Sequence, residues 1–570
     1  MDIKRLSAQL SVTPQITPSD LAAIAAAGFK SVVCNRPDGE AAGQPTFIDI
    51  EQAAHAAGLQ AAYLPADSGQ VSDDQGVAFG QLMAELPGPM LAYCRTGTRC
   101  ATMWALAQAQ HTDAASLLHT TANAGFDLSG LVARLANLGS AAAVANGQAT
   151  PLPREAVEST HQILIIGGGA AGISVASSLL ARQPDLDIAI VDPATVHYYQ
   201  PGWTMVGGGI FDATTTARSM ASVMPSGVMH IQEAVVSFEP EQNAVTLESS
   251  RTLHYQQLIV CPGLKLNWDG IEGLKDTLGK NAVTSNYRYD LAPYTWELVQ
   301  NLQRGKALFT QPPMPIKCAG APQKAMYLSS DHWRRNGVLD NIDIDFCNAG
   351  GVLFGVAAYV PALMEYVEAY GINLRFNRNL VAVNGTTKRA TFKQTKPDGE
   401  VETVVQDFDM LHVVPPQTAP DFVRQSPLAD AAGWIDIDPA TLRHKQFVNV
   451  HALGDVGNTT NAKTAAAARK QAPVVAHNVL VALGKLKGQA HYDGYGSCPL
   501  TVERGKIVLA EFLYGGQVAP SFPSWLIDGT KPSALAWYLK ERILPPLYWN
   551  AMLKGREWLA GPAMKSTDIQ

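Results

Sequence analysis

The sequence predicts an α/β protein in which two successive nucleotide-binding units follow a separate α/β domain. Strand-like and helix-like runs alternate along residues 1–138 and again along 161–490, which is typical of largely parallel sheets covered by helices. At 163–182 a glycine turn joins an apolar strand to a helix, the order found in nucleotide-binding βαβ units. With 570 residues, the chain is long enough for three or four domains of roughly 150 residues.

The composition excludes several classes of protein. Hydrophobic residues make up 47% and charged residues 16% of the chain, as in ordinary globular proteins. The net charge of -7 provides no basic surface for phosphate backbones, so we expect no nucleic-acid partner. The N-terminus lacks the apolar segment of a secretory signal, and no run reaches the ~18 apolar residues of a membrane span, so we expect a cytoplasmic protein. Seven cysteines suggest redox or catalytic roles rather than a disulfide scaffold, and we assign no metal ligands.

Pattern and composition divide the chain into five segments. The stretch after residue 138 is rich in Ala, Gly, Pro and Ser and lacks apolar periodicity, which predicts a linker. A later α/β unit interrupts the first nucleotide-binding domain, and the C-terminal tail is rich in Trp, Tyr, Leu and Pro. The predicted segments are an α/β domain at 1–138, a linker at 139–160, a nucleotide-binding domain at 161–289 and 416–490, a second Rossmann-like domain at 290–415, and a terminal region at 491–570.

Gly167, Gly169 and Gly172 form a G-x-G-x-x-G pattern directly after an apolar strand. Such a turn lets the backbone approach a pyrophosphate, which the positive end of the following helix attracts. Asp192 lies 20 residues past Gly172, at the end of the next strand, where its carboxylate can accept the ribose hydroxyls. The combination predicts a dinucleotide site.

The segment ALGDVGN indicates FAD rather than NAD. It resembles the second flavin fingerprint of the two-dinucleotide-binding-domain flavoproteins, which have tandem Rossmann-like domains. The resemblance implies that Asp455, after Gly454, binds the ribityl chain, and that Lys463 starts the helix directed at the flavin pyrimidine. Further candidate flavin contacts are Ala171, Gln200 and Val235.

The usual second cofactor site lacks its glycines. NADH-dependent flavoproteins carry another glycine turn after the first strand of the inserted domain, but here KALFTQ is followed by PPMPIKCAGAPQK. Prolines donate no backbone N–H group to a phosphate, which disfavours NADH binding. Cys318 stands there instead, between Lys317 and a helix opened by Pro322, where a lowered thiol pKa is expected. A disulfide partner is needed, and Cys261, Cys347 and Cys498 all remain candidates on this argument.

Four longer motifs resemble the mitochondrial-type sulfide:quinone oxidoreductases over about residues 161–560. They are HYYQPGWTMVGGG, PIKCAGAPQKAMYLS, LHVVPP and YDGYGSCPL. The resemblance implies that Cys318 faces the flavin and that Cys498 is the second redox cysteine, which holds sulfane sulfur as a persulfide. Lys324, in the second motif, would stabilise anionic sulfur or flavin, although a surface lysine is an equal alternative.

The resemblance also implies a reaction and its partners. Hydrosulfide would open the sulfur bridge between Cys318 and Cys498, a small-molecule acceptor such as glutathione or sulfite would remove the sulfane sulfur, and electrons would pass through FAD to quinone. Quinones lie in the bilayer, so we expect the protein to attach peripherally to the cytoplasmic membrane. The segment 533–561 mixes Leu, Trp and Tyr with Lys540, Arg542, Lys554 and Arg556, as in interfacial helices, and its Pro-Pro pair predicts two short helices. The alternative is packing on the core or on another subunit, and a homo-oligomer is compatible with the sequence.

The N-terminal domain contains a candidate sulfur site at CRTGTR. The backbone N–H groups of this loop should converge on Cys94, with Arg99 behind them. Four residues separate the cysteine from the arginine, whereas tyrosine phosphatases have five, and here Cys100 takes the phosphatase arginine's place. The loop is similar to that of rhodaneses, and the domain resembles the phosphatase-fold domain of the beta-lactamase-hydrolase-like sulfur transferases. Three functions remain open for this domain: a sulfur transferase in which Cys94 accepts sulfur, a phosphatase, or an inactive docking domain.

Two other functions remain open on the sequence. One is an NAD(P)H-dependent or other flavoprotein quinone reductase, such as a type II NADH:quinone dehydrogenase, fused to a tyrosine-phosphatase-like domain. The other is a redox-sensing or scaffolding protein that binds FAD without turnover. The missing second glycine turn and the paired cysteines argue against the first, and sulfide-dependent quinone turnover would exclude the second.

Overall fold

A computed structural model describes residues 3–41, 43–67, 71–109, 112, 114–126, 128, 131, 134–135 and 159–564. The chain forms two compact units, Met1–Glu155 and Ala156–Gln570. Residues 139–158 of the predicted linker at 139–160 lie outside the described residues.

The N-terminal unit is built on a five-stranded sheet. Its strands are β1 (Lys4–Arg5), β2 (Leu10–Thr13), β3 (Ser31–Cys34), β4 (Gln60–Tyr63) and β5 (Met90–Tyr93). They lie in the order β1-β2-β5-β3-β4, and only β1 is antiparallel to its neighbour. The predicted largely parallel sheet is therefore confirmed.

Helices cover both faces of this sheet. They span Leu21–Ala26, Phe47–Ala56, Asp73–Glu85, Thr98–Gln108 and Ala114–Asn123. Thr46 and Ser72 begin two of them with capping boxes, in which side chains satisfy the free N–H groups of the first turn. Side chains alternate between two apolar clusters along β5, because successive residues of a strand point to opposite faces.

The second unit contains the remaining strands. Its first part has β6 (Ser159–Ile166), β7 (Ile188–Val191), β8 (Val196–Tyr198), β9 (Ala217–Ser219), β10 (Val228–Ile231), β11 (Val235–Glu239), β12 (Ala244–Leu247), β13 (Thr252–Val260), β14 (Lys265–Leu266) and β15 (Val283–Thr284). Its second part has β16 (Gly305–Gln311), β17 (Ile342–Asn348), β18 (Asn373–Phe376), β19 (Arg378–Asn384), β20 (Arg389–Thr395), β21 (Val401–Asp407), β22 (Met410–His412), β23 (Gln417–Thr418), β24 (Val450–Ala452), β25 (Ala490–His491), β26 (Gly496–Glu503), β27 (Lys506–Phe512) and β28 (Ala563–Met564).

Two large sheets organise this unit. The first has the order β10-β7-β6-β13-β12-β11, with β24 also paired to β13. The second, in the order β15-β22-β16-β17-β18, is parallel throughout. Because β24 returns to the first sheet after the second is complete, the second sheet is an insertion into the first domain.

The helices of this unit connect and cover the strands. The longer ones span Ala170–Arg182, Ala292–Asn301, Ala321–Arg335, Val360–Ala369, Ala465–Ala482, Ala534–Tyr538 and Leu544–Asn550, and short ones span Trp203–Val206, Met220–Val223 and Asp421–Arg424. The strand-turn-helix pattern of both nucleotide-binding units is present, so the α/β prediction is correct.

The C-terminal tail differs from its prediction in two respects. The proline pair does not separate two helices, since Pro545 and Pro546 lie in the first turn of Leu544–Asn550, where proline is tolerated. A π-helical turn at Leu539–Ile543 joins this helix to the preceding one. Lys540, expected at an interface, is buried, whereas Arg542, Lys554 and Arg556 are exposed.

Among the described residues, no helix combines the length and apolar character needed to cross a bilayer.

Candidate functional site

The first glycine turn is closely packed at Gly167 and Gly172 and has free space at Gly169. Gly167 has φ +109°, and a Cβ there would lie 2.5 Å from the Cys261 carbonyl oxygen. A Cβ at Gly172 would overlap the carbonyl oxygen of Gly167, so the absence of side chains lets the helix Ala170–Arg182 approach β6. A Cβ at Gly169 would meet nothing within 4 Å. The turn therefore leaves the space that a pyrophosphate requires.

Asp192 lies at this turn, as the motif predicts. Its carboxylate accepts hydrogen bonds from the backbone N–H of Gly168 at 2.5 Å and of Ala194 at 2.8 Å. These bonds hold the acidic side chain at the carboxyl end of β7 beside the glycine turn, where a ribose would be bound.

The second glycine turn contacts the first helix. Gly454 has φ +77°, and a Cβ there would lie 3.2 Å from Ala171 Cβ. Lys463 Nζ donates to the carbonyl oxygens of Asp455 at 2.7 Å and Gly457 at 2.8 Å. Burial lowers the Lys463 pKa to about 8 and raises the pKa of Asp455. The described side chains thus fit a dinucleotide held between two glycine turns.

The other candidate cofactor residues occupy different positions. Ala171 is buried in the first turn of Ala170–Arg182. Gln200 accepts a hydrogen bond from Lys317 Nζ through its side-chain oxygen. Val235 begins β11, at the edge of the first sheet opposite β10. Flavin contacts of these three residues stay a prediction.

Cys318 and Cys498 meet although 180 residues separate them. Their Sγ atoms are 3.8 Å apart. Cys318 lies in the turn between β16 and the helix Ala321–Arg335, and Cys498 lies on β26, whose hairpin with β27 packs on that helix. Of the three open partners for Cys318, the structure selects Cys498, because Cys261 contacts Gly167 O and Cys347 contacts Gln406.

A backbone hydrogen bond joins Cys318 to Lys463, whose side chain binds the second glycine turn. The Cys318 N–H donates to the carbonyl oxygen of Lys463 at 2.8 Å, which fixes the thiol next to the residues expected to hold the flavin. Cys318 has φ +47°, a strained conformation for a residue with a side chain, and such strain is concentrated at functional sites. The strand-turn-helix position that would carry a second phosphate turn carries the thiol instead.

Charge distinguishes the two thiols. The hydrogen bond from Cys498 and the Lys324 ammonium, whose Nζ is 3.2 Å from Cys318 Sγ, lower the pKa of Cys318 well below its usual value. The same hydrogen bond and burial raise the pKa of Cys498 well above its usual value. Lys324 is 3% exposed, so the surface alternative for this lysine is wrong. In the reduced pair, Cys318 is therefore the more acidic thiol, and its sulfur can accept a hydrogen bond from Cys498.

Gly320 allows the two sulfur atoms this close approach. A Cβ at this position would overlap Cys498 Sγ and would lie 2.5 Å from Leu500 Cδ2. A glycine two residues after a cysteine is not a recognised sequence motif. The sequence therefore does not predict that Gly320 leaves room for Cys498 Sγ.

The structure adds residues that the sequence argument missed. Tyr287 donates from its hydroxyl to the carbonyl oxygens of Lys317 at 3.0 Å and Cys318 at 3.3 Å. Gln417 accepts the Lys317 N–H at 2.7 Å. Lys540 is buried near the thiols, and burial together with the Lys324 charge lowers its pKa to about 7. The one available signal for Lys540 was a cation within an aromatic segment, which fits an interfacial helix equally well.

The Cys94 loop has the expected form. The Gly97 N–H donates to Cys94 Sγ at 3.1 Å. The Cys100 thiol is the largest influence on Cys94, and with backbone N–H groups of the loop it lowers the Cys94 pKa to about 5. Arg99 directs its guanidinium to the Ala66 carbonyl oxygen at 2.7 Å and the Glu40 carboxylate at 2.8 Å. Cys94 is thus a buried thiolate in a loop of converging N–H groups.

Two families match separate parts of the chain. Residues 2–111 match the phosphatase-like domain of the beta-lactamase hydrolase-like protein, and residues 161–298 match the pyridine nucleotide-disulphide oxidoreductases. The beta-lactamase hydrolase-like protein of Agrobacterium fabrum is 37% identical over 109 residues, 19% of this chain and 25% of that protein.

Other similarities extend over most of the chain. The mitochondrial sulfide:quinone oxidoreductase of Dictyostelium discoideum is 41% identical over 403 residues, which cover 70% of this chain and 87% of that protein. The X-ray structure of the sulfide:quinone oxidoreductase from Aquifex aeolicus has a TM-score of 0.58 at 18% identity, covering 70% of this chain and 92% of that one, and shows the same fold. On the identity and coverage of the first relative, this chain belongs to the sulfide:quinone oxidoreductase family.

Proposed function

We propose that the protein oxidises sulfide to sulfane sulfur and passes the electrons through FAD to quinone. The observation that carries this proposal is the 3.8 Å separation of Cys318 and Cys498 Sγ, next to the second glycine turn. A disulfide needs an S–S length of about 2.05 Å, which a small side-chain movement provides.

The unequal pKa values direct the first step. Hydrosulfide attacks one sulfur of the Cys318–Cys498 disulfide, and the S–S bond breaks. The thiol of lower pKa leaves faster, and the Lys324 ammonium stabilises the Cys318 thiolate. Attack therefore falls on Cys498 Sγ and leaves a persulfide on Cys498.

The cycle closes when the outer sulfur is removed. The thiolate of a small acceptor, such as glutathione, or sulfite takes the outer sulfur of the Cys498 persulfide, and Cys498 is left as a thiol. Bound FAD would accept the electron pair that is released when the two thiols rejoin as a disulfide and would deliver it to quinone. Asp192, Asp455 and the two glycine turns are the residues proposed to hold FAD.

Lys540 supplies a second positive charge to this site. It is 4% exposed, and its charge interacts with both thiols and with Lys324. Near neutral pH the amine exchanges a proton, and in its protonated form it stabilises anionic sulfur on Cys498. Burying such a charge lowers the stability of the folded protein, and functional groups often have this effect.

Lys540→Met should raise the unfolding temperature at pH 7 while lowering sulfide turnover. The folded-state pKa of about 7 lies below the ordinary value of 10.5, so the unfolded chain binds more protons between these values and wild-type stability increases with pH there. The variant should gain at least about 1 °C at pH 7, the shift that roughly 1 kcal/mol produces in a unit of this size, and the gain should shrink towards pH 10. Calorimetry at several pH values measures it. Arg542→Met, at an exposed position, is the control, and a gain that grows with pH would contradict this role.

We also infer that the tail touches the membrane surface that contains the quinone. Trp525, Trp558 and Leu559 are 82%, 62% and 75% exposed, and the same C-terminal region of the chain contains the exposed cations Arg542 and Lys554. Large exposed apolar side chains next to cations suit the boundary between headgroups and acyl chains. Their exposure supports peripheral attachment to a membrane, and the cytoplasmic face stays a prediction.

The N-terminal unit is proposed to accept sulfane sulfur on Cys94. A thiolate is the form that attacks sulfur, and the pKa of about 5 keeps Cys94 ionised at neutral pH. Loop residues Arg95 and Thr96 are exposed, so a small persulfide carrier can approach from that side.

The function is tested by adding substrates to the FAD-loaded protein without oxygen. Sulfide should bleach the flavin absorbance, and NADH should not, because the turn after β16 has prolines and a cysteine where a phosphate turn would be needed. A short-chain quinone should then restore the colour and turn over with sulfide. Bleaching by NADH but not by sulfide would favour the alternative quinone reductase instead.

A further inference from the structure

The N-terminal unit holds a second thiol beside its nucleophile. Cys94 follows β5, and Cys100 lies in the first turn of the helix Thr98–Gln108. Both are fully buried in the same apolar cluster. The Cys100 side chain is the largest influence that lowers the pKa of Cys94, so the two thiols are neighbours within this cluster. Sulfur transfer through Cys94 alone makes no use of this second thiol.

A third cysteine of the N-terminal unit, Cys34, lies on the other side of the sheet from Cys94. Cys34 ends β3 beside Tyr93 in the register and belongs to the opposite apolar cluster. Its thiol donates to the Arg36 carbonyl oxygen at 3.3 Å. The thiol that can reach Cys94 directly is therefore Cys100, and Cys34 is a natural internal control.

We propose that Cys94 and Cys100 form a redox-active dithiol pair, in which Cys100 resolves a persulfide on Cys94. This inference rests on the proposed role of Cys94 as a sulfur acceptor and extends it. Because Cys100 belongs to the same unit, the outer sulfur of a Cys94 persulfide can be removed without a thiol from outside that unit.

The step balances without an additional oxidant. Cys94 carries the outer sulfur as Cys94–S–S⁻. The Cys100 sulfur bonds to Cys94 Sγ, the bond from Cys94 Sγ to the outer sulfur breaks, and the outer sulfur leaves as HS⁻ with the proton of Cys100. Cys100 is oxidised, the outer sulfur is reduced to sulfide, and the product is a Cys94–Cys100 disulfide.

The consequence is a limit on sulfane sulfur. When acceptors are scarce, sulfur that stays on Cys94 is returned as hydrosulfide, and the disulfide blocks further loading. Two molecules of a small thiol, such as glutathione, then reopen the disulfide and are themselves oxidised to a disulfide. The N-terminal unit would thus transfer sulfur while small thiols are plentiful and stop when they are depleted.

The test treats the full-length, FAD-loaded protein with inorganic polysulfide without oxygen, followed by alkylation and mass spectrometry. Trypsin cuts after Arg95 and Arg99 and so separates the two cysteines into peptides that only a disulfide can link. We expect the linked peptides in the wild type. Cys100→Ser keeps a hydroxyl donor but cannot resolve the persulfide, so Cys94 should retain one added sulfur about tenfold more than in the wild type.

The outcomes separate this inference from the acceptor role. Cys34→Ser should behave as the wild type, which assigns the link to Cys94, because Cys34 shares its tryptic peptide. If the wild type and Cys100→Ser carry equal added sulfur on Cys94 and no linked peptides are found, the dithiol pair is overturned. The role of Cys94 as a sulfur acceptor is then unaffected. Linked peptides in the wild type without added sulfur in Cys100→Ser would show a disulfide that forms without a Cys94 persulfide, which overturns both the acceptor role and the resolution of a persulfide by Cys100. If neither linked peptides nor added sulfur is found in the wild type or in any variant, both the dithiol pair and the acceptor role are overturned.

Discussion

Cys498→Ser should reduce sulfide-dependent quinone reduction by a factor on the order of a thousand or more, because removing one member of a reacting unit disables the whole unit. Serine cannot form the disulfide that hydrosulfide opens. The side chain has almost the same volume, and the two glycine turns are untouched, so FAD should remain bound. Steady-state turnover with a short-chain quinone, together with the flavin spectrum, measures both effects.

The control for this variant is Cys347→Ser. Cys347 is also a buried thiol of the second unit, and its sulfur lies 3.7 Å from Gln406 Oε1, which can accept a serine hydroxyl. Its turnover should stay within about twofold of the wild type. If Cys498→Ser retained wild-type turnover with sulfide, the two thiols would not be the redox centre of this enzyme.

Local patterns were sufficient to predict the first glycine turn and the acidic residue beside it. The strand, glycine turn, helix and acidic residue lie within about 30 residues, so spacing along the chain determines their spacing in the fold. The structure places Asp192 at the Gly168 N–H, as the motif requires. The α/β fold of both units followed from the same short-range alternation of strands and helices.

The thiol pair could not be derived in this way. Cys498 reaches Cys318 only because the β26–β27 hairpin packs on the helix Ala321–Arg335, a contact between segments 180 residues apart. Residue arguments alone left Cys261, Cys347 and Cys498 equivalent, and the family resemblance was needed to choose. Lys540 was misplaced for the same reason, since whether a lysine in an aromatic segment faces a membrane or a thiol depends on long-range packing.

Gly320→Ala should lower turnover by about a hundredfold, because a displacement near 1 Å of reacting groups has effects of this size. The backbone at Gly320 has φ -83° and ψ -6°, which alanine adopts without strain, so the change isolates the effect of the added methyl group. This group would overlap Cys498 Sγ and press on Leu500, and the hairpin must move away from Cys318.

Thiol counting shows whether the pair still closes. After oxidation by quinone, the variant should retain two more reactive thiols than the wild type under denaturing conditions, because Cys318 and Cys498 no longer rejoin. Gly355→Ala is the matched control, since a Cβ there would meet nothing within 4 Å and no positive φ is involved, and it should leave both turnover and thiol count unchanged. A Gly320→Ala protein with wild-type turnover and thiol count would mean that the sulfur atoms tolerate a wider separation than the proposed disulfide cycle allows.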